Sequence, residues 1–363
     1  GVKRKRGTIQ PPPSPSPGLP GEGELDRPLR ILHLLSSSDA GGLSRYVFDL
    51  CSAMRAQGYE VTVAGARGAW HRLFENVPWP WIDLPINRGA WDLWRSVRIL
   101  RKYLKNHPVD VIHSHYRRTN FVGRWARNRR TPLLYTLHLS HMSLPRPRWL
   151  FDDFGDHVHA ASADSERWLR EVAAVPSGRI TVVPHGIDPD RFPHRTAADR
   201  AVARTELGLS PTARIAAYVG RFDDPKNVDW LLDLASRDRQ TQLLLVGEGP
   251  HESMLRQRIE AERLQGRVRL LHSRDPLRIY QAIDALLLPS AREGFSLVCA
   301  EAMSCGVPVL RTRTSGTSEL IVENITGRSV EIDREAFIAA AIEFLRDGAA
   351  LDRMGVAAAQ HIR

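Results

Sequence analysis

Cysteine is scarce. Cys51, Cys299 and Cys305 are the only three in 363 residues, far apart and in no Cys-x-x-Cys spacing. That excludes a disulfide framework and a thiolate zinc set, and reduced thiols in a cytosolic protein are the expectation. No apolar run approaches the ~18 residues a membrane-spanning helix requires. The basic, Pro-rich start carries no apolar stretch of the kind that marks a secretory signal. G-x-G-x-x-G, G-x-x-x-x-G-K-[ST] and G-x-S-x-G are absent, so dinucleotide, P-loop and serine-hydrolase readings have no fingerprint.

What is present is an ordinary folding composition, 42% hydrophobic and 25% charged. At roughly 100–200 residues per domain, the length predicts two domains. Lys and Arg number 51 against 41 Asp and Glu, a formal net charge of +10. The surplus is uneven: residues 1–30 carry +3, residues 31–190 carry +6 and residues 191–363 carry +1. Between Arg95 and Arg130, eleven basic residues face one acid, Asp110. Such a patch suggests an anionic partner, whether a membrane surface, an acidic acceptor or nucleic acid, or else a solvated face.

Residues 1–28 read as a disordered basic and Pro-rich tail. From Arg30, short apolar runs alternate with helical periods. Strands are predicted at 31–35, 61–64, 109–113, 133–137, 157–161 and 180–183, then at 215–219, 243–246, 268–271, 285–288 and 307–310. Helices are predicted between them, at 43–55, 91–104, 118–127 and 164–173, then at 228–235, 252–262, 297–304 and 335–345. Two successive strand–helix series predict an α/β chain of two Rossmann-like, doubly wound domains, 29–190 and 191–363, facing across a cleft. The turn-rich 183–192 is the expected hinge. Ligands of such sheets sit beyond the strands' carboxyl ends, so site motifs are sought there.

The strongest is Arg292-Glu293-Gly294-Phe295-Ser296-Leu297-Val298, which follows an apolar run and opens a helix that carries Glu301. Free N–H groups at that helix start favour a phosphate. Eight residues separate the two acids, on the order of 12 Å of helix at ~1.5 Å per residue. Paired glycosidase carboxylates lie ~5–9.5 Å apart, so this spacing argues against a hydrolytic dyad and for hydroxyl binding, one acid on a sugar and one on a ribose. Two plain surface acids remain the alternative. Arg221 and Lys226, in a strand-to-helix loop, can clamp a diphosphate or simply be solvated. Gly41-Gly42 ends the first strand and can offer backbone N–H groups, or be only a turn.

His113 with His115, His138 with His141 and His157 with His159 stand at strand ends. The H-x-H spacing invites zinc, but no cysteine or third spaced ligand completes a set, so no metal is assigned. His138 can donate to a sugar hydroxyl or be a hydrogen-bonded structural histidine. Asp188-Pro-Asp190 lies in the hinge, not at a strand end, and is set aside as a metal motif. The helix at 91–106 places Trp94, Val97, Leu100 and Leu104 on one side and Arg95, Arg98, Lys102 and Lys105 on another.

Taken in order, "DAGGLSRYVFDLCSAMRAQGYEVTV", "DVIHSH", "LLYTLH", "VVPHGIDPDRF", "YVGRFDDPKN", "LLLVGEGP" and "REGFSLVCAEAMSCGVPVLRTRTSG" resemble the family-4 glycosyltransferases of the GT-B fold. The resemblance implies retaining transfer of a sugar from a UDP- or GDP-type diphosphosugar to a glycan, glycolipid or small-molecule hydroxyl, with neither cofactor nor metal. By matching position, Arg221 and Lys226 would neutralise the leaving diphosphate, and Gly41 and Gly42 would meet it from the first domain. Glu293 would hold the sugar, surrounded by Gly294, Phe295, Ser296, Leu297 and Val298. Glu301 would take the ribose, and His138 would face the reaction centre. A cytoplasmic enzyme, peripheral on the inner membrane face through residues 95–130, is expected; nucleic acid is the least favoured partner.

The departures from the family pattern are Ser296 and Asn227 where glycine is commoner, and Arg311 and Arg313 where small residues are usual. Both arginines can touch an anionic acceptor or donor group or face solvent, and solvent is the favoured expectation. The family usually continues beyond position 363 into helices that cross back to the first domain, so a truncated second domain is expected. A nucleotide-sugar epimerase or hydrolase, and a catalytically silent sugar-nucleotide binder, are the competing readings.

Overall fold

The computed structural model describes residues 27–39, 41–75, 77–87, 89–139, 154–273 and 275–363. Residues 1–26 of the tail lie outside them, as do 141–148 with His141, where acceptor choice is expected, and Arg274 of the stretch 272–276, where base choice is expected.

The first half forms one parallel sheet of β1 (Arg30–Ser37), β2 (Glu60–Ala66), β3 (Trp81–Asp83), β4 (Val111–Ser114), β5 (Leu133–Leu137), β6 (His157–Ala160) and β7 (Ile180–Val182). Their order is β3-β2-β1-β4-β5-β6-β7. The second half repeats the plan with β8 (Arg214–Val219), β9 (Thr241–Val246), β10 (Val268–Leu271), β11 (Ala285–Leu288), β12 (Val309–Thr312) and β13 (Gly327–Val330), ordered β10-β9-β8-β11-β12-β13. Helices cover both faces, which is why the central strands read as continuous apolar runs: Leu32, Leu34 and Leu35 of β1 and Leu286 and Leu287 of β11 are wholly buried. Each sheet reverses its order beside its first strand, and the loops there open into a crevice.

The helices of the first half are α1 (Gly42–Ala56), α2 (Ala90–Asn106), α3 (Arg117–Ala126) and α4 (Ala163–Glu171). Those of the second are α5 (Ala197–Glu206), α6 (Trp230–Arg237), α7 (Glu252–Ala261), α8 (Leu277–Ala282), α9 (Leu297–Ser304), α10 (Thr317–Leu320), α11 (Arg334–Arg346) and α12 (Gly348–Ile362). Capping sets several starts. Ser162 Oγ accepts from Ser165 N at 3.1 Å, and Asp333 and Asp347 do the same for α11 and α12. Helix α5, which the apolar periodicity does not reveal, opens on a reciprocal box in which Thr196 and Asp199 satisfy one another's N–H groups at 2.8 and 3.1 Å.

Two expectations are corrected. β12 runs two residues further than the apolar run suggests, which carries Arg311 into the sheet, fully buried, where its Nη2 donates to Thr314 Oγ1 at 2.6 Å. Arg313 does face outward and pairs with Glu331. On α2 the buried positions are Leu93, Ser96, Val97 and Leu100, while Trp94 is half exposed against the rings of Phe121 and Trp125. β3, α8, α10, β13 and α12 went unpredicted, and the first four are six residues or shorter. All three cysteines are free and buried.

Candidate active site

Between the carboxyl ends of the two sheets lies a cavity of about 470 Å³. The first half contributes Gly41, Gly42, Arg45 and Trp70; the second contributes Gly220, Arg221, Gly247, Glu248, His272, Ser273, Leu297, Val298 and Glu301; Arg191 of the connection closes one side. Gly41 stands at φ 153°, a conformation that side chains rarely adopt, and it turns β1 into α1. The starts of α1 and α9 meet here: a Cβ on Gly42 would lie 3.9 Å from Leu297 Cδ1. Gly294 is the second point of contact, because a Cβ there would collide with the carbonyl oxygen of His138. Any side chain at 294 would wedge the two halves apart.

Helix α9 begins with no side-chain cap, so its first N–H groups are available at the cavity wall beside Leu297 and Val298. Ser296, which precedes it, sits at φ 22°, and this explains why glycine suits the position better. Deeper on α9, Glu301 is buried and accepts a 2.7 Å bond from the Tyr280 hydroxyl. Burial pushes its carboxyl up to about 7, against the opposing effects of Tyr280 and Arg45. Arg221 is half exposed on the same wall and leans on Asp223 at 3.2 Å, leaving most of its fork open to the cavity.

Lys226 and Glu293 do not line this cavity. They form an ion pair at 2.7 Å, with the Lys226 side chain 23% and the Glu293 side chain 11% exposed. Burial raises the Glu293 carboxyl, but the Lys226 ammonium, helped by Ser290 and Arg311, outweighs it, and the group is held below its ordinary value. The diphosphate-clamp pair of the sequence reading is thus split: Arg221 on the cavity wall, Lys226 against Glu293. Of the residues singled out from sequence, Gly41, Gly42, Arg221, Leu297, Val298 and Glu301 share the cavity. Arg45, Trp70 and Arg191 join them unpredicted. Arg191 alone carried a signal, its place in the hinge, where it lies 3.6 Å from both Asp49 and Asp275.

His138 ends β5 amid imidazoles. The third histidine that spacing alone did not supply comes from β1: His33 lies in register with His113 across the β1–β4 pair. His33, His113 and His115 are buried, each with a ring nitrogen within 4.8 Å of the others, the one such group among the described residues close enough to share an ion. Burial pulls His33 and His185 down to about 3, and pulls His113, His115, His138 and His159 below their ordinary value, so all six are neutral at pH 7. A cleft with a guanidinium, uncapped helix amides and a buried carboxyl on one wall, and glycine backbone on the other, suits an anionic ligand that also carries hydroxyls.

Residues 199–361 match the family described as Glycosyl transferases group 1, and residues 40–191 match Glycosyltransferase Family 4. A D-inositol 3-phosphate glycosyltransferase of Nocardia farcinica is 32% identical over 90% of this chain and 81% of its own length. Its counterpart from Actinosynnema mirum is 30% identical over 80% of each chain. Among solved structures, Anabaena HepE in complex with UDP and glucose superposes with a TM-score of 0.79 at 23% identity, covering 92% of this chain and 94% of its own. WaaG, a glycosyltransferase involved in lipopolysaccharide biosynthesis, superposes at 0.75 with 18% identity, covering 92% and 95%. These neighbours share the GT-B fold.

Proposed function

The chain belongs to the group 1 glycosyltransferases, and on that premise we propose that its cleft takes a UDP-type diphosphosugar and passes the sugar, with retained configuration, to a hydroxyl of an anionic acceptor. The observation that carries this reading is the two-sided cavity, with Arg221, the α9 amides and Glu301 on one wall and Gly41-Gly42 on the other. Glu301 accepts from the ribose hydroxyls, while Arg221 and the start of α9 take the charge that grows on the leaving diphosphate. Glu293, fixed by Lys226, holds donor-sugar hydroxyls, and Lys226 adds positive charge behind the phosphates; no metal is required in this scheme. The bond from C1 to the phosphate oxygen breaks as the acceptor oxygen binds C1 from the same face, and the acceptor's proton passes to the departing phosphate oxygen.

UDP is favoured over GDP by the UDP complexes of HepE. The anionic acceptor is favoured by the phosphorylated acceptor in the relatives' names and by the basic first half. We place the enzyme in the cytoplasm, docked on anionic lipid. No helix among the described residues is long and apolar enough to cross a membrane. Helix α2 instead presents exposed Arg95, Arg98, Lys102 and Lys105 beside Trp91, which is 79% exposed. Calorimetry with UDP, GDP and their sugars tests the donor site. Wild type binds UDP and UDP-sugar, Glu301→Ala binds at least tenfold more weakly, and a folded wild type that binds no nucleotide defeats the assignment. Cosedimentation with vesicles of anionic against zwitterionic lipid tests the docking face, with the four α2 charges changed to Gln as control.

A further inference from the structure

Five of the six imidazoles, all but His185, form two hydrogen-bonded chains, and each has a direction. The first is fixed by a carbonyl at its far end. His159 Nε2 lies 2.7 Å from Val183 O, which can only accept, so a neutral His159 carries its proton on Nε2 and leaves Nδ1 as an acceptor. Thr136 Oγ1, 3.1 Å away, must then donate to His159 Nδ1 and accept from His113 Nε2 at 2.7 Å. The chain runs outward from His113 to the first residue of the hinge.

The second chain joins His33 Nδ1 to His115 Nε2 at 3.0 Å and His115 Nδ1 to His138 Nε2 at 3.2 Å. Its direction is set by its inner end. His33 is wholly buried and its Nε2 has no hydrogen-bond partner. A proton on that atom would be an orphaned donor in the core, which folded proteins avoid more strictly than an idle lone pair. The proton therefore sits on His33 Nδ1 and donates to His115 Nε2, and His115 Nδ1 donates to His138 Nε2. His138 Nε2 is left as an acceptor, and its proton is on Nδ1, which has no partner among the described residues.

We propose that His33 and His115 are positioning residues that lock His138 as its Nδ1–H tautomer, so that this side chain, on the residue whose carbonyl meets Gly294 of the second half, offers oxygen a hydrogen-bond donor and not a base. The donor-binding reading above, with the expectation that His138 faces the reaction centre, enters only for what His138 meets; the tautomer itself is a property of the unliganded chain. Burial, which keeps these rings neutral, is what makes the direction hold.

The test is a two-bond proton–nitrogen correlation spectrum of the full chain labelled with [15N]histidine, recorded at pH 7 without nucleotide, with the His138 signals assigned by their loss in His138→Gln. The expected result is a pyrrole-type Nδ1 and a pyridine-type Nε2 for His138, and the same for His33 and His115. A pyrrole-type Nε2 on His138, or averaging of its two nitrogens, overturns the proposal. So does stoichiometric zinc whose chelation shifts His33, His113 and His115, because an ion there would use the lone pairs that the relay needs. Kinetics add a readout that packing alone does not give. His115→Phe lowers kcat/KM for the donor about tenfold, one hydrogen bond's worth, and His115→Asn, whose amide N–H can replace the Nδ1 donor, recovers most of it. Equal losses in both variants contradict the relay. Failure to bind nucleotide would defeat the donor reading and leave the tautomer result standing.

Discussion

The two halves share one topology and treat polarity at the cleft in opposite ways. The second half, nearly balanced at +1, brings ionisable groups to the site and pairs them: Lys226 with Glu293, Arg221 with Asp223, Glu301 with the Tyr280 hydroxyl. The first half carries the charge surplus and keeps much of it on α2 and α3, while it lines its inner strand ends with neutral imidazoles and brings Arg45 of α1 to the cavity. Charge fixed in advance is useful where a diphosphate departs. In the transfer proposed above, neutral imidazoles and glycine backbone suit the side that would admit a second substrate, with Arg45 and Trp70 beside them on that wall.

Removing one member of the charged pair gives the largest effect. Lys226→Met strands the Glu293 carboxylate and lowers stability by about 3 kcal/mol, with turnover falling about 10²–10³-fold. Adding Glu293→Gln recovers the stability and not the turnover; chemical denaturation and steady-state rates read the two separately. Acid should then attack the first half selectively. His33 and His185 hold values near 3 against an ordinary 6.5, so the stability they confer is present above about pH 6.5 and is lost as pH falls towards 3. Each accounts for about 2 kcal/mol between pH 6.5 and 5. Hydrogen exchange at pH 5 should speed up in β1, β4 and β5 and leave β8 and β11 protected; uniform acceleration would erase the contrast.

Glu301 moves the other way. Its carboxyl is raised to about 7, so its contribution to stability is complete below about 4.5 and is lost as pH rises through 7. In the proposed role the form that would accept from a ribose is the ionised one, so donor affinity should fall about tenfold from pH 8 to pH 6, a slope that Glu301→Gln abolishes in calorimetry. The smallest effect is at Ser296: replacement by Gly removes a φ of 22° and should raise stability by about 1 kcal/mol, visible as a higher Tm.

Most of the strands and the cavity-lining motifs were legible because buried parallel strands announce themselves as apolar runs and because the motifs follow those runs directly. What was not legible depended on which strands become neighbours or on elements too short to show a period. His33 gave no sign of joining His113 until β1 lay beside β4, although the doubly wound order implies that pairing. Arg311 looked like a surface charge because apolarity ends at Leu310 while the strand continues to Thr312. Helix α5 has little apolar face, yet its Thr196-x-x-Asp199 box was readable as a helix start. Trp70 and Arg45 reach the cavity only through the approach of the two halves, which no local pattern encodes.

On the proposed function, both walls serve one acceptor-dependent transfer. Incubation of the chain with a panel of UDP-sugars, with and without D-inositol 3-phosphate or an anionic glycolipid, followed by mass spectrometry, tests it most directly. The expected result is UDP release coupled to an acceptor one glycosyl unit heavier, and almost none without acceptor. Free sugar, an isomerised donor, or tight nucleotide binding with no product from any pair would contradict it.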